Sequence, residues 1–61
     1  MKFREMDRRL KKDGWYLDKV VGSHYQYKHP IKKGKVTVPN HNGKDLTLTT
    51  VKSIFKQAGL K

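Results

Sequence analysis

One side chain in this sequence has both the type and the neighbours for proton transfer at neutral pH: His24, directly after Gly22 and Ser23. Imidazole accepts and donates a proton near neutrality without needing burial, so even a small exposed site can use it. Gly22, with no Cβ, lets another molecule approach the backbone closely, and Ser23 adds a hydroxyl and an N–H able to contact a phosphate. His24 is therefore the candidate catalytic residue, with Gly22 and Ser23 supporting the turn that carries it. On pattern alone the competing reading is the favoured one, since an exposed His on a strand is usually ordinary surface. His29 beside Pro30 and His41 in a polar loop are read as solvated. His24 and His29 fall on opposite faces of a strand and no carboxylate cluster accompanies them, so neither a metal nor another cofactor is expected.

Around this histidine the chain is strongly basic. Fifteen Lys and Arg against five Asp and Glu give a net charge of +10 on 61 residues, whereas solubility alone asks for only about 2 to 8 on a small domain. Lys28, Lys32, Lys33 and Lys35 form the strongest basic strip and are the candidate nucleic-acid-binding residues, because cations displace the counterions condensed on a phosphate backbone. Trp15, Phe3 and Phe55 fit core positions and are not expected to stack on bases; Tyr16 has no evident place.

Secondary structure must present these residues. Phe3, Met6 and Leu10 make one helical stripe with cations on the other faces, which predicts a helix from about Lys2 to Lys12, stopped by Gly14. Trp15 to Val21 and Ser23 to His29 read as the two strands of a hairpin broken at Gly22, and Val36 to Pro39 as a third strand. Val51, Ile54, Phe55 and Ala58 mark a second helix, with Thr49 or Thr50 as N-cap and Gly59 as its stop; Leu46 and Leu48, two apart, allow a less favoured reading as a fourth strand. The predicted order is helix, three antiparallel strands, helix: an α+β domain with both helices on one sheet face and the other face free for a partner. If Tyr25 and Tyr27 point at the helices, period-two alternation sends His24, Gln26 and Lys28 to the free face.

At 7.2 kDa the chain is read as one domain over residues 1–61, too small for a buried catalytic cavity of ordinary size. It has no cysteine, which excludes disulfide staples and thiolate metal sites and fits a reducing compartment. Its longest apolar run, Trp15 to Leu17, is too short for a membrane span or signal peptide, so a cytoplasmic location is expected.

Gly14 and Trp15, then Gly22, Ser23, His24 and Tyr27, then His29 and Pro30, the strand Val36, Thr37, Val38, Pro39, the pair Gly43 and Lys44, and the ending Ile54 to Leu60 occur in an order and spacing that resembles the HicA family, small bacterial mRNA interferase toxins. The resemblance covers nearly the whole chain. It implies a fold like the double-stranded-RNA-binding domain, His24 as the catalytic residue of an endoribonuclease acting on mRNA, and a HicB-like antitoxin as partner. Two departures stand out: Tyr25 occupies a position where a second His is common, and Leu48 and Thr49 replace a Lys-Gly-type lead into the second helix. The alternative function is a non-catalytic basic module that binds RNA by shape and phosphate contact. Nothing in the sequence singles out a general acid.

Overall fold

The computed structural model describes residues 1–60. The first helix, α1, spans Phe3–Lys12, one residue later than the stripe suggested, because Lys2 keeps an extended backbone and serves as its N-cap. Its N–H donates to Glu5 Oε1 at 2.7 Å, a carboxylate also well placed for the positive end of the helix dipole. At the other end the Gly14 N–H donates to the Lys11 carbonyl and the Trp15 N–H to the Leu10 carbonyl. This is a Schellman ending, and the two side chains it brings together, Leu10 and Trp15, are both buried.

Three antiparallel strands follow: β1 (Tyr16–Val21), β2 (His24–Lys28) and β3 (Val36–Pro39), in the order β1-β2-β3. A two-residue turn, Gly22-Ser23, joins β1 to β2. Only Gly22 has positive φ there (60°), as a type II′ hairpin turn requires at its first central position. The β1–β2 register places Tyr16 opposite Lys28 and Val21 opposite His24, with a bulge between Leu17 and Lys19. Tyr25 pairs with Val38 and Tyr27 with Val36, so alternate residues of β2 and β3 reach the helix side. Tyr27, Val36 and Val38 are fully buried there with Met6, Leu10, Trp15, Ile54 and Ala58. The buried Tyr27 hydroxyl donates to Asp7 Oδ1 at 2.6 Å, tying β2 to α1.

The second helix, α2, spans Leu48–Ala58. Its N-cap is Thr47, not Thr49 or Thr50: the Thr47 side-chain oxygen accepts the Thr50 N–H at 3.2 Å. Leu46 explains the earlier start. It is buried just ahead of the cap, with Val51 packed against the same core, the placement of a hydrophobic staple that fixes where the chain enters the helix. Leu46 and Leu48 therefore form no strand; Leu48 is the first helical residue and exposed. Helix, three-stranded antiparallel sheet and helix, both helices contributing to one core, make the α+β, double-stranded-RNA-binding-domain-like fold expected from the sequence.

Candidate active site

Ladder geometry decides what the sheet shows to solvent. The Asn40 N–H donates to the Ser23 carbonyl at 2.8 Å, which makes His24 and Pro39 a non-hydrogen-bonded pair, with Cα atoms about 4.5 Å apart and side chains close. A proline is tolerated at Pro39 because its missing N–H would point away from β2. The same alternation turns the Thr37 N–H outward, where Gln57 Oε1 of α2 accepts it at 3.2 Å.

On the free face His24 is exposed, beside Pro39 on one side and Val21 on the other, with Gln26 and Lys28 following along β2. Ser23 is half-buried and Gly22 open: a Cβ built on Gly22 meets nothing within 4 Å. Lys28 lies across from Tyr16, and its ammonium is 3.8 Å from Asp18 Oδ2, a loose pair at the β1 bulge. Lys35, immediately before β3, falls by alternation on the same face as Lys28, and both it and Lys33 are exposed. Tyr16, unplaced from sequence, is half-exposed on this face at the end of the ladder away from His24.

Lys32 departs from the strip. Its ammonium lies 2.6 Å from Asp13 Oδ2 and 3.0 Å from the Ala58 carbonyl oxygen, binding the β2–β3 loop to the ends of both helices. That hydrogen bond, helped by the charge behind it and by the Trp15 indole N–H, holds the Asp13 carboxyl below its ordinary value against a contribution from desolvation.

His29, expected to be solvated, is half-buried and fully bonded. Its Nδ1 accepts the N–H groups of Ile31 and Lys32, each at 3.0 Å. The proton must therefore sit on Nε2, which donates to the Asp13 carbonyl at 2.8 Å. The ring also stands edge-on to Trp15, centroids 5.1 Å apart, and a Cβ on Gly14 would lie 2.6 Å from Nε2. No sequence period marks this contact, which forms only when the loop folds back onto the end of α1.

Beside His24, a cleft of about 530 Å³ opens between the β1–β2 turn and the segment leading to α2. Ser23, Pro39, Asn40, His41, Asn42 and Lys44 contribute to its walls. Among the described residues no group of three or more His, Asp or Glu side chains converges to hold a metal, and no helix is long and apolar enough to cross a membrane.

The site thus consists of an exposed imidazole, cations and an adjoining cleft on a helix–sheet–helix scaffold. A family model described as HicA toxin of bacterial toxin-antitoxin matches residues 3–60. The chain belongs to the HicA toxin family. As a HicA toxin it is the toxic member of a bacterial toxin–antitoxin pair, and its biological partner is an antitoxin. A search of curated proteins finds no match. The HicA match takes in both helices, all three strands and every residue of the cleft and free face described above.

Proposed function

We propose that this HicA toxin is a metal-independent endoribonuclease that cleaves mRNA, with His24 as general base. The observation that carries the proposal is the exposure of His24 on an open sheet face that also carries Lys28 and Lys35, beside a cleft. Membership of a family of mRNA-cleaving toxins supports it.

His24 takes the proton from a ribose 2′-hydroxyl, whose oxygen attacks the adjacent phosphorus. The bond from phosphorus to the 5′-oxygen breaks, leaving a 2′,3′-cyclic phosphate and a 5′-hydroxyl end. A positioned base supplies about 10²- to 10⁴-fold in rate. Lys28 and Lys35, at the far end of β2 from His24, hold the flanking phosphates together with Lys33. Gly22 keeps the turn clear for the substrate, and Ser23 offers its hydroxyl to a phosphate.

The neutralising partner is a HicB-like antitoxin with an acidic surface, drawn to the basic face by charge and covering His24 when bound. A complex in which His24 stayed open to RNA would rule out masking as the means of neutralisation.

Mapping RNA ends after expression of the wild type and of His24→Ala, side by side, tests the reaction. New ends bearing 5′-hydroxyl and cyclic phosphate are expected with the wild type and absent with the variant, while the variant's stability stays within about 1 kcal/mol, as for other exposed substitutions. A substrate with 2′-deoxyribose at the cleavage site should resist. Wild-type RNA binding without new ends would instead identify a non-catalytic RNA-binding module.

A further inference from the structure

The cleft next to His24 is not lined by His24 itself but by another imidazole, that of His41. His41 occupies the first position of the turn His41-Asn42-Gly43-Lys44, closed by the Lys44 N–H donating to the His41 carbonyl at 2.9 Å. Asn42 and Gly43 both have positive φ, 48° and 77°, the paired left-handed conformation of a type I′ turn. The turn is therefore a defined mount for His41 and not a slack loop.

The ladder fixes how close this mount lies to His24. Pro39 faces His24 across a non-hydrogen-bonded pair at about 4.5 Å, and His41 is two residues farther along, so the two histidine Cα atoms are at most about 12 Å apart. That span is short enough for both imidazoles to contact one bound phosphate. His41 is exposed and lines the cleft, as does Ser23, the residue before His24.

We propose that His41 is the general acid of the ribonuclease reaction, donating a proton to the 5′-oxygen as it leaves; this rests on the ribonuclease reading above. As the 2′-oxygen to phosphorus bond forms, the 2′-hydroxyl proton passes to the His24 ring. As the phosphorus to 5′-oxygen bond breaks, its electron pair stays on oxygen and takes the proton of the His41 imidazolium. His24 ends protonated and His41 neutral, and exchange with water restores both. The nucleotide carrying the leaving oxygen occupies the cleft, where the Asn40 and Asn42 amides can hydrogen-bond it and Lys44 can meet its phosphate. The charged groups sharing the cleft with His41 are Lys44 and Asp45; the Asp45 carboxylate is already paired with Lys2 at 3.0 Å, so it leaves His41 free to face substrate.

The test compares an RNA oligonucleotide, at a cleavage site first mapped with the wild type, with the same strand carrying sulfur in place of the leaving 5′-oxygen. A thiolate departs without a proton. His41→Ala should cut the all-oxygen strand about 10²- to 10⁴-fold more slowly than wild type and the sulfur strand at close to the wild-type rate, whereas His24→Ala stays slow on both. The wild-type rate should also fall on the alkaline side of its pH profile, and His41→Ala should lose that fall. Wild-type rates for His41→Ala on the oxygen strand would overturn the assignment, as would equal slowing on both strands in a variant whose thermal unfolding matches wild type. His41→Asn repeats the comparison should the alanine variant fold poorly. If the wild type cuts neither strand, the ribonuclease reading falls and this one with it; if only the His41 predictions fail, the His24 reaction stands.

Discussion

His24 and His29 differ by five positions, and the difference in what they do is made by their partners. Among the described residues no hydrogen bond occupies the His24 ring, whereas His29 is committed to three backbone groups. Replacing His29 by Ala removes an acceptor from the Ile31 and Lys32 N–H groups and a donor from the Asp13 carbonyl, and should lower stability by about 1 to 3 kcal/mol in denaturant unfolding. Gly14→Ala should be destabilising as well. The new Cβ would collide with Nε2, and φ of 104° is unfavourable for any side chain, so a loss of about 1 to 3 kcal/mol is expected. Neither residue lies on the free sheet face or in the cleft, so both effects belong to folding; a variant that unfolded like wild type would refute the bonding described here. Asp13 adds a pH signature. Its folded carboxyl is depressed, so its contribution is present above the unfolded value near about 3.9 and disappears as pH falls through the lower folded value. Asp13→Asn should therefore flatten the acid limb of stability against pH while changing the neutral-to-alkaline region far less in slope.

At the scale of elements, the start of α2 is the place where local sequence was ambiguous. Thr47, Thr49 and Thr50 all have the hydroxyl of an N-cap, and only the burial of Leu46 selects Thr47. Thr47→Ala should cost about 1 kcal/mol, and Thr49→Ala, on the exposed first turn, within about 0.5 kcal/mol. Equal costs in chemical denaturation would mean that the cap is shared. The strands were more legible because period two leaves little freedom: once Tyr27 is placed on the core side, Tyr25, Val36 and Val38 must join it and His24 must face away. The edge strand β1 behaves differently. Leu17 and Val20 share the helix-side face yet stay exposed, because the helices reach over β2 and β3 and leave β1 uncovered.

For the whole molecule, a charge of +10 on so small a surface makes any complex with RNA sensitive to salt. Each lysine that meets a phosphate of a single strand contributes about 0.7 to the slope of log affinity against log salt. Lys28→Gln, Lys33→Gln and Lys35→Gln should each weaken binding and lower that slope by roughly this amount. Lys32→Gln should act chiefly on stability, since it cuts the loop from Asp13 and the end of α2. Equal slope losses from all four, measured by salt titration, would show that Lys32 leaves Asp13 to reach RNA.

The residues alone determined the order of elements, the faces of the strands and the exposure of His24, because helical and strand periods are written in neighbouring positions and burial follows from them. They also carried, through resemblance, the family to which the chain belongs. Tertiary structure decided which lysine of the basic strip is held internally, that His29 closes the core at Gly14, and that His41 and Ser23 line one cleft. Those relations join residues fifteen or more positions apart through loops, where no period constrains the path and only packing brings the partners together.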